Sequence, residues 1–77
     1  MPTPQNREII AAKVRARAAE RRVTIRALAR ATDMEYSAML RRTRGDVDFT
    51  AGELAVVARA LDADPAVFFP TTEAVAS

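Results

Sequence analysis

The chain has 77 residues, a formal net charge of +2, no cysteine and no histidine. That length makes one domain near the lower limit for folding without staples, and the missing residue types exclude disulfides, the usual zinc sites and thiol or imidazole catalysis. No apolar run approaches the roughly 20 residues of a membrane span, and with only Gly45 and Gly52 there is no glycine-rich phosphate cradle.

In chain order, residues 1–5 carry Pro2 and Pro4 and predict a frayed arm without the apolar core of a secretory signal. Asn6 suits the N-cap of a first helix expected from Arg7 to about Arg21. On it Ile10, Val14 and Ala18 recur at i, i+4 and i+8 as one narrow apolar stripe. Ile9 and Val23 are expected to cover the ends of the core, and Arg15 and Arg17 read as ordinary surface charges. Thr24 caps a second short helix over Ile25–Ala31, with Leu28 and Ala29 inward. Thr32-Asp33-Met34 then breaks the periodicity, and Asp33 stands where a tight helix–helix turn wants a left-handed residue. A third helix is expected over Tyr36–Thr43, with the Glu35 carboxylate at its positive end and Gly45 closing it.

After a short loop, Phe49 is positioned to plug the core. Thr50 and Glu53 form the S/T-x-x-E pattern of a capping box, opening a fourth helix from Ala51 to about Leu61 with Leu54, Val57, Ala58 and Leu61 on one face. Met34 and Met39 fall at core spacing and read as packing residues. Asp64-Pro65 starts a fifth short helix through Phe69, Pro70 stops it, and residues 71–77 read as a disordered tail. No strand-like alternation occurs. The expectation is an all-α domain of five short helices over residues 6–70, between a flexible arm (1–5) and a flexible tail (71–77).

Charge is distributed unevenly along this chain. Residues 1–45 hold eleven of the twelve basic residues and four of the ten acidic ones, a net of +7. Residues 46–77 hold Arg59 against six carboxylates, a net of −5. A basic half attracts a polyanion, and an acidic half faces away from it or meets another partner. Within the basic half, residues 24–45 form a two-helix unit with arginines crowding its second helix, a size and polarity that suit the DNA major groove.

The joint pattern of a basic first helix, Thr24 before Leu28-Ala29, a turn at Asp33-Met34, Ser37, Met39, Arg41-Arg42, Gly45, Phe49-Thr50, Glu53-Leu54, Ala58 and Leu61 resembles the Cro/C1-type (lambda-repressor-like) helix-turn-helix family. More narrowly it is similar to small repressors of actinobacteria and their phages. The resemblance covers about residues 7–69 and implies a compact five-helix fold whose second and third helices form the helix-turn-helix. It implies a transcriptional regulator that occupies an operator on double-stranded DNA in a bacterial cytoplasm, as a phage-type Cro or immunity repressor. The sequence departs from the family at Asp33, where a glycine is usual, and at Ile25, where many members carry a glutamine that contacts the DNA backbone. Asp46 and Asp48 occupy a loop that touches phosphate in relatives, so here that loop is expected to point away.

Carried over position by position, the base-reading residues are Tyr36, Ser37, Ala38 and Arg41 at the start of the third helix. Arg41 can donate a bidentate pair to guanine, Ser37 can donate or accept, and Ala38 can meet a thymine methyl. The alternatives are ring packing for Tyr36, and for Arg41 an ion pair with Asp33 or Glu35. Thr24, Arg22, Arg26, Arg30, Arg42, Thr43 and Arg44 lie at the edges of the unit as candidate phosphate contacts. The family's dimeric habit makes the acidic half a candidate homodimer surface. There Phe68 and Phe69 project in different directions, so either one is exposed for association or both fold over the core.

No cofactor, metal or small-molecule substrate is expected, and no nucleophile–base arrangement points to an enzyme. The competing reading is a protein-interaction module on the same fold, such as an antitoxin or antirepressor, using the acidic half with Phe68 and Phe69. A membrane-lying first helix is disfavoured because that helix lacks a large aromatic or leucine face.

Overall fold

Three of the helix starts are built from interactions spanning two or three residues. In the computed structural model, which describes residues 6–69, the Thr24 hydroxyl accepts from the Ala27 amide at 3.0 Å. Thr50 and Glu53 complete a reciprocal capping box at 3.0 and 2.9 Å, and the Asp64 carboxylate accepts from the Ala66 amide at 3.0 Å. These caps satisfy amides that have no intrahelical acceptor. The helices are α1 (Asn6–Glu20), α2 (Ile25–Ala31), α3 (Tyr36–Thr43) and α4 (Ala51–Ala60). Asn6, expected as a cap, is itself helical, and Leu61 caps α4 rather than extending it. The expected arm and tail lie outside the described residues.

The fifth helix is a correction. Pro65–Phe68 forms a single 3-10 turn, and the described residues hold four α-helices and no strand. Proline at both ends of the segment explains its brevity. Pro65 supplies the helical φ at the start, while Pro70 bars the preceding residue from the α region. Phe69 accordingly adopts φ −81° and ψ 149°.

Every α-helix closes the same way, with a left-handed residue at the position after its cap. Those residues are Arg22, Asp33, Gly45 and Asp62, with φ of 57°, 58°, 86° and 55°. The next amide in each case reaches back five residues. Val23 donates to Ala18 O, Met34 to Ala29 O, Asp46 to Arg41 O and Ala63 to Ala58 O, at 2.8–3.0 Å. These are Schellman closures, and Val23, Met34 and Ala63 pack on the core as the motif's apolar partner. Asp33 was legible as such a site from its residue type. Asp62 carries the same side chain and was missed, and Arg22 gave no such signal. Gly45 is the one glycine among the four, and its φ of 86° is the conformation that asks for one, since a Cβ there would meet Glu8 and Ala11 only at ordinary contact distance.

The core is a contiguous cluster of Val14, Ala18, Leu28, Ala29, Met39, Leu54, Val57, Ala58, Leu61 and Phe68. On α1 the buried stripe is Ala11, Val14 and Ala18, with Ile10 only half-buried. Met34, Ile25 and Phe49 close its edges.

The surface-charge reading of Arg15 and Arg17 is overturned. Arg7 Nε donates to Gly45 O at 3.1 Å, and Arg15 Nη1 donates to Thr43 O at 2.5 Å. Arg17 donates from Nε to Leu61 O at 3.1 Å and from Nη2 to Asp62 O at 2.6 Å. Three arginines of α1 therefore terminate α3 and α4, answering the orphan carbonyls and negative dipole end of each. They lock α1 onto the elements that carry the candidate site.

Candidate nucleic-acid interface

The outward face of α3 follows from what it buries. Met39 and Thr43, one turn apart, point into the protein, so Ser37, Arg41 and Arg44 stand on the opposite side and are exposed. Among the described residues the side chains of Arg41 and Arg44 make no hydrogen bond or ion pair, so neither Asp33 nor Glu35 neutralises Arg41. Ala38 is half-buried, and its carbonyl accepts from Arg42 Nη1 at 3.2 Å. Tyr36 lies on the other flank at 39% exposure, with the Arg26 guanidinium carbon 4.2 Å above its ring centroid.

Two of the expected phosphate contacts are committed internally. Thr43 is 1% exposed, and its hydroxyl donates to Met39 O at 2.9 Å, so this side chain is structural and cannot reach a surface ligand. Arg42 Nε donates to Glu53 Oε1 at 2.9 Å, with both side chains three-quarters or more covered. Thr24, Arg22, Arg26, Arg30 and Arg44 remain exposed. Thr24 keeps its hydroxyl proton free while its oxygen caps α2. Four arginines therefore tie helices together (Arg7, Arg15, Arg17 and Arg42), Arg21 pairs with Asp62 at 3.8 Å, and Arg22, Arg26, Arg30, Arg41 and Arg44 around α2 and α3 are open to solvent.

The Arg42–Glu53 pair couples α3 to the first turn of α4. Burial by itself pushes the Glu53 carboxyl up. The Thr50 amide and the Arg42 guanidinium outweigh that and hold it below its ordinary value of 4.5. A carboxylate depressed in the folded state contributes stability that is complete above the unfolded value and disappears as pH falls through the folded one. The difference in urea midpoint between wild type and Glu53→Gln is therefore expected to be constant down to about pH 5 and to shrink below about 4.5. A difference that stays constant into acid would refute the ionic contribution.

Phe68 is also corrected. It is 1% exposed within the core, which leaves Phe69 (44%) at the surface with Val67 (53%) beside it. Lys13 Nζ donates to the Phe69 carbonyl at 3.1 Å. An open groove between α1 and the 3-10 turn, lined in part by Lys13, Arg17, Asp62 and Val67, includes no residue of α2 or α3. Among the described residues no group of carboxylates is placed to hold a metal ion, and no helix is long and apolar enough to cross a membrane.

Sequence reasoning missed the roles of Arg7, Arg15 and Arg17, because each bond joins residues at least 28 positions apart. It also missed the stack of Arg26 on Tyr36, although the two residue types at the starts of adjacent helices were a usable signal.

Four short helices with a tight turn between α2 and α3 and an unpaired basic outer face on α3 define a helix-turn-helix protein. The solved structures agree. The clp gene regulator ClgR from Corynebacterium glutamicum is 33% identical over 87% of this chain and 71% of its own, with a TM-score of 0.83. A second crystal structure of ClgR from C. glutamicum is 32% identical over 86% of both chains, with a TM-score of 0.81. The chain belongs to the Cro/C1-type helix-turn-helix family. An HTH_3 family transcriptional regulator from Vibrio cholerae, 22% identical over 80% of this chain and 35% of its own (TM-score 0.74), shares the fold. No protein-family model and no curated protein matches the sequence.

Proposed function

We propose that this protein is a sequence-specific double-stranded DNA-binding transcriptional regulator that represses by occupying an operator, with α3 in the major groove. The observation that carries the reading is the outer face of α3, where Ser37 and Arg41 are exposed and the Arg41 side chain has no partner among the described residues. Arg41 reads guanine, Ser37 and Ala38 contact the adjoining bases, and Tyr36 sits at the groove edge. Thr24, Arg22, Arg26, Arg30 and Arg44 hold the phosphates on either side. The Asp46–Asp48 loop repels phosphate and stays off the backbone. The relationship to ClgR, a clp gene regulator, supports regulation of transcription. The phage-type repressor reading rests on the sequence resemblance. A homodimer, with Phe69 at its surface, matches an operator of two half-sites about one helical turn apart.

Selection from a random duplex library at near-physiological salt, with non-specific competitor, tests this directly. An inverted repeat is the expected product, and its spacing gives the dimer geometry. A single half-site supports recognition but refutes the dimer. No enrichment refutes sequence-specific binding and favours the protein-interaction reading. Neutralisation of four phosphates by Arg22, Arg26, Arg30 and Arg44 predicts that log K falls with log salt at a slope of about −3 to −4 per bound subunit. A flat salt response contradicts the assignment of those arginines.

A further inference from the structure

Arg26 is the second residue of α2 and Tyr36 the first of α3, so the stack between them bridges the two helices of the motif. Arg26 is exposed, and among the described residues its only interaction is with the ring. The Tyr36 hydroxyl has no partner among the described residues either. A guanidinium lying 4.2 Å over an aromatic centroid is held by one π-face. Its five N–H donors lie in the guanidinium plane and stay available at the edge. An unstacked arginine on an exposed helix must lose side-chain freedom when it docks on phosphate. The ring removes part of that loss in advance.

We propose that Tyr36 is a positioning residue, which acts on DNA by holding the Arg26 guanidinium edge-on toward a backbone phosphate beside α3, and not through its own hydroxyl. The inference rests on the DNA-binding reading above. Arg26 then serves as a pre-oriented phosphate clamp at the start of α2. Because phosphate carries no sequence information, the effect is uniform over DNA sequences.

The test compares wild type, Tyr36→Phe, Tyr36→Leu, Arg26→Ala and the double variant Tyr36→Leu/Arg26→Ala. Binding is measured to random-sequence duplex DNA and to the duplex enriched in the selection. Both side chains are exposed, and thermal melts establish that each variant folds. Tyr36→Phe is expected to bind within about twofold of wild type. Tyr36→Leu should weaken both duplexes by about two- to fivefold, and should add nothing once Arg26 is Ala. In the free protein, the ring current of Tyr36, the sole tyrosine in a chain without tryptophan, should shift the Arg26 δ-proton resonances upfield. That shift should persist in Tyr36→Phe and vanish in Tyr36→Leu.

The proposal is overturned if Tyr36→Phe loses as much affinity as Tyr36→Leu, since the hydroxyl would then be the contact. A full Tyr36→Leu loss in the Arg26→Ala background, or absence of the upfield shift, also overturns it. A wild type that binds no duplex overturns the DNA-binding reading and this role together. Normal wild-type binding with any of the other results overturns the positioning role alone.

Discussion

Replacing Phe68 by Ala is expected to destabilise the domain by about 3–5 kcal/mol. Phe68 is 1% exposed and packs in the cluster formed with Val14, Leu54 and Leu61, where truncation leaves a cavity that small neighbours such as Ala18 and Ala58 cannot fill. A chain of 77 residues has a total stability on the order of 4–12 kcal/mol, so the loss takes much of it. Thermal denaturation followed by circular dichroism should show a midpoint lowered by more than about 12 °C. Phe69→Ala, on a side chain left 44% exposed, should shift stability by no more than about 0.5 kcal/mol. If Phe68→Ala melts like wild type, the 3-10 turn does not close the core. The contrast also separates packing from association. Weakened self-association in Phe69→Ala with an unchanged melt would assign the exposed ring to a dimer surface.

Arg41→Ala is expected to weaken binding to the selected operator by about 1–3 kcal/mol, or roughly 5- to 150-fold. Binding to random duplex DNA should fall only by the loss of one charge. Arg44→Ala, on the same outward face near the helix end, should reduce both affinities to a similar, smaller extent. The expected asymmetry follows from geometry. Arg41 has no carboxylate partner among the described residues, so its fork of donors is free to meet a guanine edge. Equal losses on operator and random DNA for Arg41→Ala would reduce it to a phosphate contact. Selecting sites again with the variant protein gives a second readout, because discrimination should relax at one base pair and hold elsewhere.

The division of the arginines bears on both experiments. Four of them anchor helix ends or join α3 to α4, so removing Arg15 or Arg42 perturbs the fold before it perturbs any ligand contact. Alanine scanning that treats every arginine of the basic half as a candidate contact would confuse the two effects. Thermal stability measured beside affinity distinguishes them.

The sequence by itself determined where α2, α4 and the 3-10 turn begin, since Thr24, Thr50 with Glu53, and Asp64 with Pro65 act over two or three residues. It determined most of the apolar face of α4, because Leu54, Val57, Ala58 and Leu61 obey the helical period wherever the helix is placed. It also made Asp33 readable as a left-handed turn residue, given the tolerance of its short polar side chain for that conformation. The tertiary structure alone decided that Phe68 is core and Phe69 surface, since adjacent residues with equal hydrophobicity differ only in which faces the other helices. It alone decided which arginines remain free, because the carbonyls that engage Arg7, Arg15 and Arg17 lie 28 to 45 residues away. Composition records the number of charges in the basic half. Only the packing of α1 against the ends of α3 and α4, with the Arg42–Glu53 pair, separates those that hold the fold from those left open to solvent.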